Sequence, residues 1–276
     1  MQFKRLRQLA KMPSPMIGAG ILTVIILLAI FAPALGGDPY LVDPANRLKP
    51  PSPQFALGTD ESGRDLWTVL LFGAQTTLGI AGLCTLIAVV SGYVIGILCG
   101  YYRRFDAVAM RIIDGMMSFP NIILVMSLVG VLGAGMGPVV FGLTVVLVPA
   151  IARVVRGAAL SAVGMPMVES VRSLGAGDGW ILTRYVAPEA VSVLIVQTTL
   201  AFSNTVLSIA ALSFLGIGLP PDVPSWGASL SAAQQYIYVG WWIAVFPGLA
   251  ILLTVLGLVL IGDGLRDVFD PRAKRN

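Results

Sequence analysis

Residues 76–102 read TTLGIAGLCTLIAVVSGYVIGILCGYY, with no Asp, Glu, Lys, Arg or His among them. A helix needs about 20 apolar residues to cross a hydrocarbon core, so this stretch alone places the chain in a membrane. Five more apolar runs share the pattern, at 16–35, 116–132, 138–152, 190–218 and 241–261, none containing an ionisable residue. The fourth run, 138–152, is short, yet it reads as a span because residues 133–138 form a glycine- and proline-marked turn between two apolar runs. Composition agrees: the 276 residues are 57% hydrophobic and 12% charged, with a mean hydropathy of +0.87. Soluble domains carry roughly 25% charged residues, so a soluble enzyme is excluded.

The flanks give an orientation. Fifteen of the 18 basic residues fall in the N-terminal tail, the segments 103–111 and 153–184, and the C-terminal tail. Arg47, Lys49 and Arg64 alone fall in the other segments. By the positive-inside rule, the expectation is an all-α polytopic membrane protein of six transmembrane helices with both termini cytoplasmic. The divisions are a cytoplasmic tail 1–15, a first anchor 16–35, an extracytoplasmic loop 36–75, a core of five spans over 76–265 and a tail 266–276. The same distribution explains a pI near 9.3 without any nucleic-acid partner. Ala32, Pro33 and Ala34 after a basic start resemble a secretory signal, but the apolar stretch is long and Pro33 disfavours cleavage, so a retained anchor is expected. Pro39, Pro44, Pro50, Pro51 and Pro53 make the loop that follows an ordered, extended cap.

Several chemistries drop out. Histidine is absent, removing the usual general base and zinc ligand. Cys84 and Cys99 share one apolar run without metal-ligand spacing and read as small buried residues. No intramembrane ionisable group is present to couple an ion or proton, which weakens a gradient-driven carrier. No Gly-x4-Gly-Lys-Ser/Thr loop occurs, so the chain is not itself an ATPase.

Three patterns carry candidate function. Gly92, Gly96 and Gly100 form a small stripe that admits a close helix, within this subunit or in a partner. Gln197, Ala201, Asn204 and Ser208 fall on one helical face, giving either a translocation pathway for a polar solute or an interhelical hydrogen-bond seam. The segment 161–189 is patterned beyond what a turn requires. Pro166 opens a helix, Glu169 sits in its first turn, Val168, Val171 and Leu174 are its apolar stripe, and Gly175 ends it. A second helix follows, with Asp178 as N-cap, Ile181, Leu182, Tyr185 and Val186 as its apolar side, and Pro188 as its stop. Such a helix–glycine–helix unit is either an interfacial connector or a knob for a soluble partner.

The segment ESVRSLGAGD at 169–178, with Ile181 and Pro188 after it, resembles the glutamate-alanine-alanine loop of binding-protein-dependent ABC importer permeases. Three further stretches resemble the second, C-type permease of the dipeptide, oligopeptide and nickel importers. They are GTDESGRD at 58–65, LSFLGIG at 212–218 with SWG at 225–227, and GDGLRD at 262–267 with DPR at 270–272. The family's alanines are Ser170 and Val171 here, and a histidine common before the loop proline is Tyr185.

The resemblance implies a type I importer permease fold in the bacterial inner membrane. Its partners would be a second homologous permease, two ATP-binding subunits that hold ATP and Mg, an extracytoplasmic binding protein and lipid. It makes Glu169, Ser170, Leu174, Gly175, Ala176, Asp178 and Pro188 the ATPase-coupling loop and binds no cofactor in this chain. It makes Gly58, Thr59, Asp60, Gly63, Arg64 and Asp65 an extracytoplasmic signature. Of these, Asp60, Arg64 and Asp65 read most simply as pinning a short helix at 66–72. Asp263, Arg266 and Asp267 read as fixing the exit of the last span. Peptides lead as cargo, with nickel or another small solute as the alternative.

Overall fold

The structure, a computed structural model, describes residues 12–220 and 222–269. The basic residues of the N-terminal tail and the 270–272 motif lie outside them. The described residues are almost wholly helical, and their one β pairing is an isolated bridge between Thr59 and Asp65. The elements are α1 (Pro13–Ile30), α2 (Ala32–Leu35), a 3-10 turn (Pro44–Asn46), α3 (Leu66–Tyr101), α4 (Arg103–Met117), α5 (Asn121–Leu132) and α6 (Met136–Val163). There follow α7 (Pro166–Ser173), α8 (Asp178–Ile181), α9 (Ala187–Phe214), α10 (Trp226–Tyr236) and α11 (Trp242–Phe269).

Five helices are long and apolar enough to cross a membrane. They are α1, α3, α6, the α8–α9 rod and α11. A sixth span exists when α4 and α5, bent by 91° at a short break, are taken together. The break has a local cause: Pro120 disfavours helical backbone at Phe119, and α5 restarts at Asn121. The run read as 116–132 therefore begins in the last turn of an amphipathic helix and spans only 12 residues beyond the break. The short fourth run is part of the 28-residue α6, which continues through Arg153 and Arg156.

Two further boundaries differ from expectation. No separate helix exists at 66–72, because α3 runs unbroken for 36 residues; Asp65 caps it, accepting from the Thr68 N–H at 3.1 Å. Pro188 does not stop the helix. A π-helical turn, Leu182–Val186, joins α8 to α9, and such a widened turn accommodates the N–H that proline lacks.

The core forms where α3 packs on α6, its most extensive partner. The glycine stripe of α3 faces this helix: a methyl group at Gly92 would overlap Ile151, and one at Gly96 would overlap Val155 and the Ala152 carbonyl. Of the two uses of the stripe, close packing within the subunit is the observed one. Cys84 and Cys99 are buried free thiols in the same region. α1 lies on α11 and α9 on α11, α3 and α6, while Val24, Leu86, Val90 and Leu252 stay exposed, as lipid-facing residues do.

Candidate functional site

α3 separates two ends of the molecule, one bearing Gly58 and the other Gly175. At the Gly58 end, the 58–65 signature is a tightly bonded turn. Asp60 is 2% exposed. Its Oδ1 accepts from the Ser62 and Arg64 N–H groups at 2.8 and 2.9 Å, and its Oδ2 from Arg64 Nε at 2.6 Å. Thr59 donates to the Asn46 carbonyl at 2.5 Å, and its own carbonyl accepts from Trp242 Nε1 at 3.0 Å. Gly63 has φ +78°, and a side chain there would collide with the Asp43 carbonyl; only glycine suits both demands. The turn locks the preceding loop against α3 and α11. Glu61 beside it is pushed above the usual carboxylate range, first by burial and then by the charge of Asp60.

Further in, the stretch at 212–227 joins α9 to α10. Ser225 Oγ caps α10 by accepting from the Ala228 N–H at 3.2 Å. Trp226 is buried and donates to the Leu70 carbonyl at 3.1 Å.

A cavity of about 670 Å³ opens between α5, α6 and α9. Gln197, Ala201, Asn204 and Ser208 all line it, together with Asn121 and Thr205. The two hydroxyls bond along their own helix, Ser208 to the Asn204 carbonyl at 2.8 Å and Thr205 to the Ala201 carbonyl at 2.6 Å. Asn204 is exposed and Gln197 half-buried, and with Asn121 they place three carboxamides at the cavity wall. Among the described residues, none that lines the cavity is ionisable. Asn121 is the residue that sequence reading missed, and its position directly after the Pro120 break was the available signal.

At the Gly175 end, α7 closes as a helix–glycine turn. Gly175 takes φ +87°, its N–H donates to the Arg172 carbonyl at 3.0 Å, and the Ala176 N–H reaches the Val171 carbonyl at 3.3 Å. This paired pattern is a Schellman closure. Val168 and Ile181 anchor the unit, at 1% and 0% exposure. Leu174 does not bury with the stripe: it is 86% exposed, with Met167 and Trp180 also standing out. Glu169 and Ser170 are exposed beside them, and Ser170 Oγ bonds back to the Pro166 carbonyl at 2.9 Å.

Asp178 is not an N-cap. Gly177 holds that position and Asp178 is the first helical residue. Its carboxylate instead accepts from Tyr101 Oη at 2.5 Å. Arg172 lies over the Tyr101 ring at 5.7 Å and donates to its hydroxyl at 3.3 Å. Tyr93 on the same helix donates to the Ala187 carbonyl at 2.9 Å. The 166–187 unit is thus tied to α3 at its middle and at its C-terminal end. Asp263, Arg266 and Asp267 lie on the exposed surface of α11. That helix is seated by Gly262 against Thr199 and Gly264 against Pro15.

A helical membrane bundle with an uncharged polar cavity and a projecting helix–glycine–helix knob is the architecture to be compared with known membrane transport components. A methionine ABC transporter, MetNI, captured in inward-facing conformations, has the same fold over 74% of this chain and 97% of the transporter chain, with a TM-score of 0.60 at 24% identity. Residues 92–275 match the family of binding-protein-dependent transport system inner membrane components. Residues 4–51 match the N-terminal transmembrane domain of oligopeptide transport permease C. A chain of Brucella suis biovar 1 (strain 1330), whose name assigns it to a peptide transport system as a permease, is 40% identical over 97% of this chain and 91% of its own. The dipeptide transport system permease DppC of Alkalihalophilus pseudofirmus is 37% identical over 97% and 89%. The chain belongs to the binding-protein-dependent transport system inner membrane component family, a multi-pass ABC importer permease.

Proposed function

We propose that this permease admits dipeptides or oligopeptides, pairs with a second homologous permease, and draws its energy from two ATP-binding subunits, coupling to them through the 166–180 loop. The bacterial inner membrane is its place, with the Gly175 end and both termini cytoplasmic and the Gly58 end toward a substrate-binding protein. Fifteen of 18 basic residues on the inferred inner side favour this orientation.

The observation that carries the reading is the projecting knob: Met167, Leu174 and Trp180 stay exposed on a unit whose Val168 and Ile181 are fully anchored. Exposed apolar residues rimmed by polar ones mark a protein contact. The cavity supports the cargo assignment, since neutral carboxamides bond peptide groups without holding a fixed charge. ATP and Mg reside in the partner subunits. ATP closes the ATPase pair, the docked loop moves with it, and the spans rock to open the cavity outward; hydrolysis reverses the tilt. Such coupling needs the loop to bind two states of its partner with different affinity.

Gly175→Arg tests the docking. The open space around Gly175 accepts the side chain, but φ +87° is strained for it and the knob's contact surface changes. The expected outcome is loss of ATP-driven peptide uptake in proteoliposomes together with loss of co-purifying ATPase. Survival of both would refute the docking.

A further inference from the structure

α4 has a surface that neither the cavity nor the coupling loop uses. It lies at the Gly175 end, directly after α3, and turns 91° from α5, so when α5 lies along the membrane normal α4 lies in the membrane plane. Its inward edge is fixed: Ile113 is 6% exposed, and both acidic residues are consumed by α6. Arg156 Nη2 meets Asp106 Oδ2 at 2.7 Å, and Arg153 Nη2 meets Asp114 Oδ1 at 2.6 Å.

What α4 shows outward is mainly cationic and apolar: Asp106 is largely covered, and Asp114, though 65% exposed, is held by Arg153. Arg103, Arg104 and Arg111 are exposed and, among the described residues, have no carboxylate in ion-pair range. Beside them run Val108 and Ile112, 63% and 60% exposed, with Phe105 at 41%. At 100° per residue, Arg104 and Arg111 share one stripe, Phe105, Val108 and Ile112 form the adjoining one, and Arg103 falls on the far side of the helix with Asp106 and Asp114. The two arginines in the first turn also oppose the helix dipole, and Tyr102 supplies no side-chain cap, so helix stability does not explain their placement. An apolar stripe flanked by arginines is the pattern of a helix lying in a membrane surface.

We propose that α4 is an interfacial helix that binds the phosphate headgroups of anionic phospholipids through Arg104 and Arg111, with Val108 and Ile112 set among the upper acyl segments. The inference does not depend on cargo or on the docking of the 166–181 unit. Anionic lipid would then hold the hinge between α4 and α5, whose far side, Asn121, lines the cavity.

The experiment uses the full chain, with whatever subunits co-purify, in phosphatidylcholine bilayers with and without phosphatidylglycerol. A nitroxide is placed at Ile112→Cys; the native thiols are buried at 0% and 1% exposure and do not compete for the label. The expected result is collision with dissolved oxygen in excess of collision with a water-soluble nickel chelate. Dominant collision with the chelate, or shielding from both by a second permease, would overturn the proposal. In parallel, native mass spectrometry compares retained phosphatidylglycerol with phosphatidylcholine. Preference for the anionic lipid is expected to fall about fivefold for each of Arg104→Gln and Arg111→Gln, with Arg103→Gln adding little in the triple variant that combines all three. An unchanged preference in the triple variant would also overturn it. Should the triple variant fail to assemble, the Ile112→Cys arm decides alone.

Discussion

Tyr101 is the last residue of α3, and its hydroxyl bonds to both halves of the 166–181 unit, Asp178 in α8 and Arg172 in α7. The contact is exposed, so its net worth is about 1 kcal/mol. Tyr101→Phe is expected to raise amide hydrogen exchange over residues 170–181 by roughly fivefold while leaving the buried amides of α3 unchanged; equal exchange in both proteins would remove Tyr101 from the account. Glu61 gives a pH signature at the other end. Its carboxyl titrates above the ordinary value of 4.5 because burial and Asp60 disfavour its charge. A raised folded value means the stabilising contribution is full below 4.5 and is lost as pH rises through the folded value. Glu61→Gln should therefore resist thermal unfolding better than the natural protein at neutral pH and match it in acid. A difference that grows on acidification would reverse the sign and contradict the assigned environment.

At the scale of elements, the α3–α6 seam shows what a four-residue glycine spacing does. Gly96→Leu forces a side chain into Val155 and the Ala152 carbonyl, and overpacking of this kind costs about 3 kcal/mol. The expected result is a clear drop in thermal stability in detergent, whereas Gly79→Ala, with open space around it, should be neutral. Much of this architecture is legible in the residues themselves. Apolar length reveals the spans, Asp65 marks the start of α3, and the positive φ of Gly175 follows from a helix that must end between two apolar stripes. Periodicity also gathers Gln197, Ala201, Asn204 and Ser208 to one face, and the structure places all four at one cavity. What stays hidden is anything decided by a neighbour. Leu174 shares spacing with Val168, yet only Val168 finds a wall to bury against. Pro188 carries the chemistry of a stop, but a π-turn before it lets the helix pass. Asp178 has the chemistry of a cap, and a tyrosine 77 positions earlier takes its carboxylate.

Taken whole, the molecule is a helical bundle with a polar-walled cavity midway and a projecting helix–glycine–helix unit at one end, which the proposed function reads as chamber and handle. Tyr101 and Tyr93 fasten the handle to α3, α3 packs along α6, and α6 walls the chamber opposite Gln197 and Asn204. On the proposed reading, motion imposed at the knob would reach the cavity through these packed helices. Replacing Asn204 by Leu should cut peptide uptake severalfold while ATPase activity in the assembled complex persists; if both fall together, the residue serves assembly instead. The most direct measurement is photocrosslinking from position 174 in native membranes, with and without ATP. The account predicts capture of a nucleotide-hydrolysing subunit, in a yield or pattern that changes with ATP. Adducts with lipid alone would contradict it.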